Sequence, residues 1–132
     1  MNVLVVDDDA MARLILRQVL QRHFSAVVTE APNGLDALVV LESATFDLIV
    51  LDLRMPVMDG LTVLQTIRAT DKHAQTPVVI LTADRKDENV YRSIKLGVSD
   101  YLTKPFRGKE IAERLSQIVG HGATPPDGPA AK

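Results

Sequence analysis

The chain has 132 residues, 46% hydrophobic and 24% charged, with a net charge of -2. That length suits one domain with an ordinary core, and the near-balance of charge argues against nucleic acid or a membrane surface as a direct target. Cysteine is absent, so there is no disulfide framework or thiolate metal site; with no signal-like N-terminus and no apolar run near the ~20 residues of a membrane span, the cytoplasm is the expected location.

The first apolar run is VLVV, residues 3–6. Residues 10–22 follow with Ala12, Ile15, Leu16, Val19 and Leu20 on one stripe, the spacing of an amphipathic helix. AVVTE (26–30) is a second strand candidate, and Asn33-Gly34 marks the turn into a helix over 34–43. LIVL (48–51) is apolar without alternation, as in a parallel strand covered on both faces. A helix over 60–70 comes next, then a similar run, VVIL (78–81), and a helix over 86–96 that Gly97 is placed to stop. Lys86, Asp87, Glu88, Asn89, Arg92, Ser93 and Lys95 leave that helix little apolar surface to pin it. DYLT (100–103) is the fifth strand, and residues 110–119 place Ile111, Leu115, Ile118 and Val119 on one face. GHGATPPDGPAAK (120–132) has little to bury and reads as a flexible tail or cut linker.

Five strand–helix units in alternation predict a doubly wound α/β fold over residues 1–119. This is a (βα)5 three-layer sandwich with right-handed crossovers and a parallel sheet. The flavodoxin-like order 2-1-3-4-5 is the commoner choice for five units. Sites in such sheets form beyond the carboxyl ends of the strands. Strand 1 ends in Asp7, Asp8 and Asp9, strand 3 in Asp52, strand 4 in Thr82 and strand 5 in Lys104. In that order Asp7, Asp8 and Asp52 crowd together. Lys104 stands roughly 10 Å from Asp52, and its long stem suits it to cover most of that gap. Crowded carboxylates repel unless a cation compensates, and oxygen-only ligands favour a hard ion, Mg²⁺ foremost. The pocket suits transfer of a phosphoryl group onto Asp52, with Thr82 and Lys104 as donors to its oxygens.

These motifs resemble the receiver domain of two-component response regulators, in chemotaxis-regulator-like form, from about residue 2 to 119. The resemblance rests on VLVVDDD, LIVLDLRMPVMDG, VVILTA and DYLTKPF in that order. It implies that Asp52 is the phosphoacceptor and that Asp7 and Asp8 hold Mg²⁺, with Arg54 adding its backbone carbonyl. Thr82 would turn toward the phosphoryl group, Lys104 would pair with it, and Tyr101 would swing inward as Thr82 moves. The Lys104-Pro105 bond would be cis. The implied partner is a sensor histidine kinase or a histidine phosphotransfer protein. The face of the fourth helix, fifth strand and fifth helix would be the output and a candidate homodimer interface. Other readings are a Mg²⁺-dependent phosphohydrolase with an aspartyl nucleophile and a phosphorylation-independent adaptor. The hydrolase typically needs a cap domain or an acid where Arg54 stands, and the intact site argues against the adaptor.

Arg54 and Asp84 lie two residues beyond Asp52 and Thr82, on loops expected to be neighbours. Either an ion pair across the pocket mouth, tuning the lifetime of the phosphorylated state, or two separate solvated charges fits those positions. Asp9 needs no role beyond capping, Asp59-Gly60 shapes a turn, Met55 and Met58 suit packing, and His23, His73 and His121 are expected at the surface.

Overall fold

The computed structural model describes residues 1–123. Five strands, β1 (Asn2–Val6), β2 (Val27–Ala31), β3 (Leu48–Asp52), β4 (Val78–Thr82) and β5 (Asp100–Thr103), form one parallel sheet in the order β2-β1-β3-β4-β5. They alternate with α1 (Ala10–Phe24), α2 (Gly34–Ser43), α3 (Gly60–Ala69), α4 (Glu88–Leu96) and α5 (Gly108–Ala123).

The absence of alternation in the strand runs has a direct cause. Successive residues of β1 serve different cores, Val3 and Val5 joining the layer under α1 and α5 while Leu4 and Val6 join the layer under α2, α3 and α4. Leu48 and Val50 divide from Ile49 and Leu51 in the same way. With both faces covered, every position must be apolar until the strand reaches its carboxyl end.

Four helix starts are fixed by side chains at strand or loop ends. Asp9, Asn33, Asp59 and Asp87 each accept a hydrogen bond from a backbone N–H in the first turn of the helix that follows. Gly97 closes α4 at φ 97°, a backbone state that disfavours a side chain. Helix α4 begins at Glu88 rather than 86, because Asp87 takes the cap position. Helix α5 runs past the boundary expected at 119 and through Ala123. The rest of the expected tail, 124–132, lies outside the described residues.

His73 departs from its expected surface position. It is 2% exposed, and its Nε2 lies 2.7 Å from the Leu41 carbonyl. A carbonyl only accepts, so Nε2 carries the proton. The loop that holds His73 is tied down by Arg68. Its Nη1 donates to the carbonyls of His73, Ala74 and Thr76, while Nε and Nη2 both donate to Gly97 O at 3.1 and 2.8 Å. One guanidinium thus joins the end of α3, the α3–β4 loop and the C-terminus of α4. Arg68→Ala is expected to cost about 2 kcal/mol, the range for hydrogen bonds made by a charged group. Arg68→Lys should recover little, since an ammonium cannot span the same fork. The check is a lower urea midpoint at unchanged slope.

Candidate functional site

The strand-end residues converge as the topology requires. Asp7 follows β1 and is fully buried, Asp52 closes β3 at 4% exposure, and Thr82 closes β4 at 2%. Asp8 is exposed beside them. Asp7, Asp8 and Asp52 each bring one oxygen within 4.8 Å of the others. Lys104 Nζ lies 2.8 Å from Asp7 Oδ2 and 3.4 Å from Asp52 Oδ2, so its stem does cover the gap. Lys104 N donates to Thr82 O at 2.7 Å, which ties its backbone to the end of β4, and the bond from Lys104 to Pro105 is cis.

Gly60 explains why a glycine must close the loop after Asp52. A Cβ there would lie 2.0 Å from the Asp52 carbonyl oxygen, so α3 starts directly against the strand end that carries Asp52. The Gly60 N–H also donates to Leu53 O at 2.9 Å. The Asp59-Gly60 pair therefore does more than form a turn: it caps α3 and seats it on the site.

Electrostatics match the crowding. Burial, then the neighbouring Asp7 charge, push Asp52 up from 3.8 to about 7, against the pull of Lys104. Burial works against the Lys104 charge, but its contacts with Asp7 and Asp52 together hold its pKa above the ordinary lysine value. Asp7 Oδ1 accepts from Asp9 N at 2.9 Å, and the buried Asp7 Oδ2 meets the Lys104 ammonium at 2.8 Å. Three carboxylates within 4.8 Å of one another, with one ammonium between them, leave negative charge that a hard divalent cation fits. The donor set is oxygen only, which suits the same ion class.

Residues 3–116 match the response regulator receiver domain. The chain belongs to that family. Its receiver domain is 36% identical over 118 residues to chemotaxis protein CheY-3 of Vibrio cholerae, an alignment covering 89% of this chain and 91% of that protein. The structure of Vibrio cholerae CheY4 superposes with a TM-score of 0.82 at 30% identity, covering 89% of this chain and 97% of that one. The receiver domain of sensor histidine kinase PA1611 from Pseudomonas aeruginosa superposes at 0.80 with 28% identity, covering 90% and 97%. That structure has a magnesium ion coordinated in its active site cleft. The family is a signalling module rather than a conventional enzyme. Consistent with that, the position where a hydrolase would place a second acid holds Arg54. No helix among the described residues is long and apolar enough to cross a membrane.

At the rim of the receiver site, one expected pairing is replaced by another. Arg54 does not meet Asp84. Its Nε and Nη2 each lie 2.7 Å from an oxygen of Asp87, a two-pronged ion pair. Asp84 is occupied within its own loop: its Oδ1 accepts from Lys86 N, its carbonyl accepts from the Thr82 hydroxyl at 2.9 Å, and its N–H donates back to that hydroxyl. The Thr82 hydroxyl is thus held by the loop rather than turned toward Asp52. Tyr101 packs partly buried against the α2–α3–α4 layer, with the Arg85 guanidinium 5.4 Å over its ring and Arg85 Nε on Thr103 Oγ1. Helix α4 buries only Asn89, Val90 and Ser93 and leaves Tyr91 and Ile94 exposed, so little apolar surface fixes it. Met55 is buried, and Met58 packs beside Gly34, both in packing roles.

Proposed function

We propose that Asp52 accepts a phosphoryl group from a histidine kinase or a histidine phosphotransfer protein in a cytoplasmic two-component phosphorelay. The observation that carries this reading is the convergence of one ammonium, Lys104, on two buried carboxylates, Asp7 and Asp52, at the ends of β1, β3 and β5. In the transfer, one Asp52 oxygen forms an O–P bond as the N–P bond of the donor phosphohistidine breaks. The imidazole leaves with the electron pair and takes a proton from solvent. Lys104 then follows the charge from the Asp52 carboxylate to a phosphoryl oxygen. Thr82 exchanges its bond to the Asp84 carbonyl for another phosphoryl oxygen, and burial of the pocket strengthens both contacts. Mg²⁺, held by Asp7, Asp8 and Asp52 with the Arg54 carbonyl, would offset the charge spread over the phosphoryl oxygens.

Movement of Thr82 frees space beside β5, and Tyr101 turns into it. The change reaches the face of α4, β5 and α5, where a lightly packed helix responds at low cost. That face is the output surface in this reading and the place for self-association.

Asp52→Asn is expected to reduce labelling by a small phosphodonor such as acetyl phosphate to background, because an amide is a poor nucleophile. Chelating divalent cations should do nearly the same to the wild type. Undiminished labelling of either preparation removes the assignment.

A further inference from the structure

We infer that Arg13 is a positioning residue for the acidic pair Asp7–Asp8, held in place by Glu30 of β2. The inference rests on the cation-dependent reading of that pair. Strand β2 is the one strand that brings no side chain to the pocket itself, ending in Glu30 and Ala31. Its contribution passes through Arg13, one turn into α1. Arg13 Nε donates to Glu30 Oε1 at 2.9 Å, and Arg13 Nη1 donates to the Asp7 carbonyl at 2.7 Å. Glu30 is held from its other oxygen by Arg17 Nε at 2.6 Å. Arg17 reaches Val28 O but no atom of the acidic pair.

The consequence is local. The Asp7 N–H is already tied to Ala31 O at 3.2 Å. With its carbonyl tied to Arg13, both peptide planes flanking Asp7 are fixed. The second of these planes also carries Asp8, so the brace sets the direction from which both carboxylates enter the pocket. A rigid guanidinium suits this task because its fork serves two acceptors in different directions.

Charge sharpens the argument. An unpaired arginine this close to a cation site would repel the cation. Glu30 offsets that charge, and Arg13 and Arg17 in turn hold its carboxyl below the ordinary glutamate value although burial opposes them. Two effects of removing Arg13 therefore have opposite sign. Loss of a positive charge favours cation binding, and loss of the carbonyl contact disfavours it by freeing the Asp7–Asp8 peptide. Arg17→Gln has the first effect and loosens Glu30 at one oxygen, but leaves both Arg13 contacts, to Glu30 and to the Asp7 carbonyl, in place.

The experiment is Mn²⁺ binding to the whole chain, followed by the free-ion electron paramagnetic resonance signal, for wild type, Arg13→Gln, Arg17→Gln and Arg13→Lys. Arg13→Gln is expected to weaken Mn²⁺ about 10-fold, the lower end for residues that orient metal ligands. Arg17→Gln should leave affinity unchanged or raise it. Arg13→Lys keeps the charge and loses the fork, so it should weaken binding roughly 3-fold, and it carries the test if Arg13→Gln does not fold. Equal strengthening by Arg13→Gln and Arg17→Gln would mean that charge alone acts, and would overturn the brace. So would unchanged affinity in Arg13→Lys. Wild-type protein that binds no Mn²⁺ would overturn the cation reading itself, a result distinct from normal wild-type binding with indifferent Arg13 variants.

Discussion

Asp52→Asn is expected to raise the thermal midpoint of the cation-free protein at neutral pH, with the gain disappearing in acid. Burial and the Asp7 charge raise Asp52 from 3.8 to about 7, so the fold disfavours the ionised carboxylate. For an acid whose folded pKa lies above its unfolded value, the penalty is absent below the unfolded value. It grows as pH rises between about 4 and 7 and is complete above that. The whole shift sets a ceiling of roughly 4 kcal/mol. Asparagine also gives up the ionic contact with Lys104, so the net gain is smaller, about 1–3 kcal/mol or several degrees in midpoint. Circular-dichroism melts in chelator at pH 4 and pH 7.5 provide the check. A gain of equal size at both values, or a loss at pH 7.5, would contradict the account. Added Mg²⁺ should narrow the difference at pH 7.5, because a cation that binds Asp52 in the folded state stabilises the wild type by linkage and finds less to bind in the variant.

That result concerns a residue whose importance is legible from sequence. A buried strand that ends in a carboxylate is costly, and the cost is intelligible only if neighbouring strand ends bring compensating groups. Asp7, Thr82 and Lys104 can be placed by the strand-end rule because strand order and direction alone fix where β1, β3, β4 and β5 finish. The same rule is silent about side chains that enter from helices or loops. Arg13 sits on the partly polar flank of α1 and Glu30 one residue before the end of β2 with its side chain turned to α1, so the rule places neither, and the link from Glu30 through Arg13 to the Asp7 carbonyl follows only from the crossing of α1 over the sheet. His73 is read as exposed because a lone polar residue in a loop has that tendency. Folding lays that loop beneath α2, where the Leu41 carbonyl satisfies one ring nitrogen. The Arg54 partner is missed for a related reason. Counting two residues past each strand end assumes two straight loops. The loop after β4 instead curls on Thr82, which commits Asp84 to its own loop and brings Asp87 to the rim as the cap of α4.

Under the proposed phosphoacceptor reading, the Arg54–Asp87 pair takes the place of the Arg54–Asp84 pair expected to control phosphorylation lifetime. Hydrolysis of an aspartyl phosphate needs water in line with the bond being broken. Arg54 stands two residues from Asp52, and its guanidinium is well exposed, so it is free to exchange partners. In the unphosphorylated protein it grips Asp87 through two bonds, and this contact holds Asp87 below the ordinary aspartate value together with the N–H of Asn89. A phosphoryl group on Asp52 supplies a second anion, and a guanidinium binds phosphate oxygens as readily as carboxylate. In this reading Arg54 engaged with the phosphoryl group would obstruct the water, whereas Arg54 engaged with Asp87 would not. Asp87→Asn keeps an N-cap acceptor for Asn89 but weakens the hold on Arg54. It is therefore expected to slow dephosphorylation, about 3-fold for a contact of this kind. Arg54→Ala should accelerate it by a similar factor. In the Arg54→Ala background, Asp87→Asn should have no further effect, since the group it releases is gone. Asp84→Ala should change the rate less than either. The measurement is decay of phosphorylated protein after donor removal, for the single and double variants. The Asp87→Asn effect should also shrink at ~1 M salt, where an exposed pair is screened within about 3 Å. Additive rates in the double variant, or an Asp84→Ala effect exceeding that of Asp87→Asn, would separate Arg54 from Asp87 and return the lifetime control to independent charges.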